Sequence, residues 1–214
     1  VVFKHCKRHG FMVPDIDFDV LKKENKLTNS RGRLRFLSLD EEQKLLQALA
    51  SDLDNDNAFT KLCRVNALHF VVMSLDIGNR KGELMHLKWE DIDMETKTIR
   101  LYRNKVDNES TLHMTDRVYE VLADRLKVKA PEQSLVFEGK TGILNVRAAL
   151  RGACERAGIS GVSFHVLRHT YASRLVQAGV PIYSVQHVLG HASPLTTQRY
   201  AHLSPKQASF DAAK

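Results

Sequence analysis

The chain has 214 residues, enough to bury one substantial core with at most a small appendage. Hydrophobic residues make up 43% and charged residues 27%, a balance that excludes a disordered chain, and no apolar run approaches the ~18 residues of a membrane span. Lys and Arg number 32 against 25 Asp and Glu, so the net charge is +7 and the pI about 9.4, a balance that suits a nucleic-acid partner. The charge is uneven: residues 5–9 and 22–35 are basic, whereas 40–56 is acidic. A basic front suits a phosphate backbone, and equally a solvated linker. Three dispersed cysteines, Cys6, Cys63 and Cys154, do not suggest a disulfide framework, and the expected compartment is the cytoplasm. The chain begins at Val1 with no visible leader, so a piece of a longer protein is expected.

In chain order, residues 1–12 read as the last helix of a truncated domain, closed by Gly10. Residues 13–36 lack periodicity and read as a basic linker, which places the main domain at 37–203 and a tail at 204–214. Ser38 with Glu41 predicts a capping box at the start of a helix whose apolar face is Leu39, Leu45, Leu46 and Leu49. Residues 57–75 predict a buried central helix with Phe59, Leu62, Cys63, Leu68, Val71, Val72 and Leu75, ended by Gly78. A short helix is expected at 83–87, then strands at 98–102 and 110–114 joined by a polar turn. Helices follow at 116–127 and 144–157, with a short extended piece at 135–137 between them. Ser163 caps a helix ending at Ala178, Pro181 opens another that Gly190 closes, and Ser193-Pro194 begins a last helix carrying Tyr200. The fold class is mainly α with a small antiparallel β-sheet.

The chemistry concentrates in the last third. In Phe164-His165-Val166-Leu167-Arg168-His169-Thr170, His165 and Arg168 are three apart and share a helix face. A guanidinium beside an imidazole suits an oxyanion, although such a pair alone reads as readily as a solvated surface. The neighbouring text decides. Leu189-Gly190-His191 puts a histidine after a helix-ending glycine, and Tyr200 follows nine positions later. Upstream, Gly78-Asn79-Arg80-Lys81-Gly82-Glu83-Leu84 supplies a second arginine just past a helix break.

The series Gly-x-Arg-x-x-Glu-Leu, a lysine in a strand turn, His-x-Leu-Arg-His-Thr, Leu-Gly-His and Tyr resembles the tyrosine recombinases, or phage integrases, over most of 37–203. The resemblance implies that Arg80 and Arg168 clamp a scissile phosphate while Tyr200 attacks phosphorus. It assigns His165 and His191 to the nonbridging oxygens or the moving proton, Lys105 to protonation of the departing 5′ oxygen, and Glu83 to support of the site. Lys97 and Arg103 lie close enough in sequence to compete with Lys105 for its role. Ile77 and Asn79 depart from the family's usual residue types, but neither is an expected phosphate contact. A phenol with an ordinary pKa near 10 needs a proton acceptor or nearby positive charge to attack. The phosphotyrosyl link conserves the ester's energy, so neither ATP nor a metal is required, and no cofactor is expected.

The resemblance further implies double-stranded DNA attachment sites as partner, a homo-tetramer on DNA, possible DNA-bending accessory proteins, no membrane, and a mobile element as host. The His165/His169 and His187/His191 pairs have a zinc-compatible spacing but no His-Glu-x-x-His signature. A type IB topoisomerase and a catalytically silent DNA-binding module are the alternatives. Trp89, Phe164, Tyr102, Tyr119, Tyr171 and Tyr183 are read as structural, and a docking role on a neighbouring protomer is expected of the tail.

Overall fold

A computed structural model of the chain describes residues 34–51, 57–103, 108–139, 142–143 and 146–205. Val1–Arg33 and Leu34–Lys214 are separate units, and the described residues all lie in the second. The helix at 1–12, most of the linker, Lys105 and all but the first two residues of the tail therefore lie outside the described residues.

Ser38 accepts from the Glu41 backbone N–H while the Glu41 carboxylate accepts from the Ser38 N–H, and this capping box starts helix α1, Leu39–Ala50. Asn57 caps the long helix α2, Ala58–Ile77, by accepting from the Thr60 N–H at 2.9 Å. The expected apolar stripes hold in the middle of both helices and fail at their first turns. Leu45, Leu49, Val71 and Leu75 are buried, whereas Leu39 is 77% and Phe59 74% exposed. The helical repeat continues outward past the point where a neighbouring element stops covering it.

Helix α3 spans Lys81–Met85, beginning two residues before its expected start because Arg80 and Glu83 form the cap. A 3-10 turn, Trp89–Asp91, leads into β1, Ile92–Asp93. Strands β2, Thr98–Arg103, and β3, Asn108–His113, complete an antiparallel sheet in the order β1-β2-β3. The register pairs Thr98 with His113 and Leu101 with Ser110. Ile99, Leu101 and Leu112 face the core while Arg100 and Thr111 face out, the alternation a half-covered sheet requires. Helix α4, Asp116–Lys127, has its expected bounds. The extended piece at 135–137 is a single bridge between Leu135 and Lys88, followed by the short strands β4, Glu138–Gly139, and β5, Gly142–Ile143.

Helices α5, Val146–Arg156, and α6, Phe164–Gln177, pack against α2, which is central as expected. Phe70 on α2 meets Phe137 and Phe164 edge-on, with centroids 5.0 and 5.1 Å apart. Helix α7 is Ile182–Leu189, with Pro181 as its cap rather than its first residue. The last helix, α8, is only Pro194–Gln198, so Tyr200 sits just past its end, between α8 and a 3-10 turn at Ala201–Leu203. Tyr183 is 77% exposed and packs no core, contrary to its expected role. Among the described residues no helix is long and apolar enough to cross a membrane.

Candidate active site

Two chain breaks are brought together by main-chain oxygens. Helix α2 ends at Gly78 in the left-handed conformation, φ 65° and ψ 24°, which turns the chain sharply into Asn79 and Arg80. Glycine is required there twice over. A side chain is strained at that φ, and a Cβ would stand 2.2 Å from Cδ1 of Tyr171 on α6. Helix α7 ends the same way at Gly190, φ 60° and ψ 49°.

Both arginines hook onto these ends. Arg168, 5% exposed, donates from Nη1 to the Gly78 carbonyl at 2.7 Å and from Nη2 to the Leu189 carbonyl at 2.5 Å. Arg80 donates from Nη2 to the next carbonyl, Gly190, at 3.0 Å, and from Nη1 to Oε1 of Glu83 at 2.7 Å. The second Glu83 oxygen accepts from the Arg80 backbone N–H at 2.9 Å, so one carboxylate fixes both the start of α3 and the guanidinium. Two guanidiniums bound to consecutive carbonyls of one helix terminus face a shared place, and their charge suits an anion. Burial differs between them: Arg80, about a third exposed, is the one open to solvent.

His165 is exposed in the first turn of α6, one turn before Arg168. His191 follows Gly190 and is half-buried, and its Nδ1 lies 2.8 Å from the hydroxyl of the fully buried Thr197. Thr197 also accepts the Tyr200 backbone N–H at 3.0 Å, so His191 and the tyrosine segment are tied at one residue.

Tyr200 is 1% exposed and packs with Ala172, Val176, Val185 and Leu189 between α6 and α7. Its hydroxyl lies 2.5 Å from Nδ1 of His169, the residue after Arg168. Burial pushes the phenol above its ordinary pKa, and Arg199 and Arg168 pull it partly back. Burial also holds His169 down to about 4, helped by the positive charge of Arg199, His165 and Arg168. A neutral imidazole and a protonated phenol thus share one hydrogen bond between Nδ1 of His169 and the Tyr200 hydroxyl.

The structure thus gathers Arg80, Glu83, Arg168, His191 and Tyr200 around the ends of α2, α6 and α7, with His165 at the exposed rim. Lys105 lies outside the described residues. It falls between β2 and β3, and β2 packs on α3 directly after Arg80. Among the described residues there is no cluster of three or more metal-ligating side chains. Two contributors were not singled out from the sequence, His169 and Thr197. His169 stands inside the His-x-Leu-Arg-His motif, where its spacing from His165 suggested a metal pair instead of a partner for Tyr200.

Residues 35–207 match the phage integrase family. The chain is 32% identical over 157 residues to the integrase of Salmonella phage P22, an alignment covering 67% of the chain and 41% of that protein. It is 29% identical over 222 residues to the tyrosine recombinase XerD of Rickettsia bellii, covering 94% of the chain and 68% of that protein. A crystal structure of the XerH site-specific recombinase bound to palindromic difH substrate, in a post-cleavage complex, superposes with a TM-score of 0.68 at 22% identity, covering 87% of the chain and 55% of XerH. The chain therefore spans about two fifths to two thirds of the length of these relatives. Its fold is that of a tyrosine recombinase catalytic domain, mainly helical with a small antiparallel sheet. Every element from α1 to α8 falls within the matched residues, and the chain belongs to the phage integrase family.

Proposed function

We propose that this chain is the catalytic part of a site-specific DNA recombinase that cuts and rejoins duplex DNA through a 3′-phosphotyrosyl bond to Tyr200. The observation that carries this reading is the pair of guanidiniums hooked to the consecutive carbonyls of Leu189 and Gly190, beside the phenol-bearing segment. A phosphodiester seated there gains charge on its equatorial oxygens during attack, and planar, fixed donors stabilise that charge without reorganising. The Tyr200 oxygen bonds phosphorus, the bond from phosphorus to the 5′ oxygen breaks, the phenol releases its proton, and the 5′ oxygen receives one. Lys105 is the donor on this reading, with His165 and His191 at the nonbridging oxygens. Glu83 keeps Arg80 aimed. Reversal by a second DNA hydroxyl rejoins the strands, with no call on ATP or metal.

DNA duplexes bearing attachment sites are the substrate, and two duplexes processed together require four such sites, hence a tetramer on DNA. DNA-bending accessory proteins would assist assembly, and the work would be done at the cytoplasmic nucleoid, for integration or excision of a mobile element. The basic net charge of +7 supports the DNA partner. The XerH relative was captured on its DNA, which lends the same support at the level of fold. Residues 1–12 and 13–36 would be the end and linker of a second DNA-gripping domain, and the tail would dock on a neighbouring protomer.

The test is covalent trapping on a pool of nicked suicide duplexes of randomised sequence. The full chain should yield a protein–DNA adduct mapping to Tyr200 by mass spectrometry, and Tyr200→Phe should lower the adduct at least a thousandfold. An adduct on another residue, or one that persists in Tyr200→Phe, would overturn the assignment.

A further inference from the structure

His169 has no part in the attack described above, yet it holds the atom that must attack. The Tyr200 hydroxyl is hydrogen-bonded to its Nδ1 at 2.5 Å, the ring centroids stand 5.9 Å apart, and the tyrosine is all but sealed at 1% exposure. A phosphate approaches from solvent, where Arg80 is partly open. The nucleophile instead faces inward, with its oxygen hydrogen-bonded to a neighbour on α6. We propose that His169 is a positioning residue that holds Tyr200 in a resting site, and that cleavage begins when this hydrogen bond is exchanged for contact with DNA. The inference rests on the recombinase reading for its purpose, but not for its test.

Two observations favour a hold over a proton transfer. First, the surroundings of His169 oppose an imidazolium: the ring is buried, Arg199 adds positive charge from the tyrosine segment, and His165 and Arg168 add more from α6. With burial and nearby positive charge holding His169 down to about 4 and burial pushing the phenol above its ordinary value, proton transfer inside the resting pair is uphill. Second, the segment is built to be released. Its apolar packing rests on Tyr200 and Leu203, and the helix before it, Pro194–Gln198, has only five residues, with Leu195 75% exposed. Beyond its local turns, side-chain hydrogen bonds join this segment to the rest of the fold from Tyr200 to His169 and from Thr197 to His191. Breaking the His169 contact removes this hydrogen bond from the phenol, while the Thr197 tie keeps the segment's base in place.

Nitration of tyrosine by tetranitromethane, mapped by peptide mass spectrometry on the DNA-free chain, reads the hold directly. Tyr183, 77% exposed, is the internal reference for reagent and fold. In the unaltered chain Tyr200 should be nitrated at least tenfold more slowly than Tyr183. His169→Ala should raise nitration of Tyr200 about tenfold with Tyr183 unchanged. His169→Asn, which keeps an acceptor oxygen near the place of Nδ1, should restore most of the protection. Equal protection of Tyr200 in His169→Ala, or equal loss of it in His169→Asn, would overturn the proposal. So would intact protection in His169→Asn combined with a tenfold loss of covalent adduct on the nicked duplexes, because that would mark the imidazole as proton acceptor. The nitration arm needs no DNA, so its outcome stands even if the chain cleaves none.

Discussion

A single hydrogen atom on Gly78 keeps α6 close enough for Arg168 to reach the carbonyl at the end of α2. Gly78→Ala adds a methyl that meets the Tyr171 ring at 2.2 Å while the backbone is held at φ 65°. The left-handed strain alone costs about 1–2 kcal/mol, and displacing the ring adds to it. A loss of about 2–3 kcal/mol should lower Tm by roughly 4–12 °C, and covalent adduct should fall further than stability, because Arg168 loses its anchor. Unaltered adduct formation in a folded Gly78→Ala chain would count against the hook. At this scale the sequence was generous with identities and poor with contacts. Arg80, Glu83, Arg168, His191 and Tyr200 stand in motifs whose order is readable. That Tyr200 would bond to His169, or Thr197 meet His191, depends on how α6, α7 and α8 pack, which no local pattern encodes.

Between elements, one buried carboxylate joins four helices. Glu42 on α1 is 7% exposed, accepts from Nη1 of Arg117 on α4 at 2.9 Å, and pairs with Arg174 on α6. Arg117 also pairs with Asp76 near the end of α2, and these carboxylates hold its pKa above the ordinary arginine value. Glu42→Ala leaves two cations facing a site with one carboxylate fewer. Both are partly exposed, so the cost should be about 2 kcal/mol, below that of a sealed pair. Urea unfolding should show a lower midpoint at unchanged slope. Nothing in the helix pattern marked Glu42, which occupies an apolar stripe as a charged residue. Helix bounds were the legible part, because Ser38, Asn57, Thr115, Ser163 and the glycines at 78 and 190 are caps with a local mechanism. Strands β1, β4 and β5 were missed since two residues hold no alternation, and Leu39 and Phe59 were misjudged since periodicity names a face but not its covering neighbour.

Over the whole molecule, acid should be destabilising earlier than carboxylates alone would make it. Burial, with nearby positive charge, holds His69 and His169 at about 4, below their ordinary 6.5. Unfolding lets both take up protons, so their contribution is complete above pH 6.5 and is lost as pH falls from 6.5 towards 4. Melting curves at pH 7.5 and 5.0 should show a lower Tm in acid, and His69→Asn with His169→Asn should narrow that difference. A gap of unchanged size would remove these histidines as its source. The family and its fold could be read from motif order alone, whereas the joining of two distant breaks into one site needed coordinates. The hooks themselves are peptide oxygens, which every residue type carries. Drift in the surrounding side chains therefore leaves the aim of both guanidiniums unaltered, but one residue inserted before Gly190 would swing the Leu189 and Gly190 oxygens away together. The clamp should tolerate rewording of its neighbourhood and fail at a change of spacing.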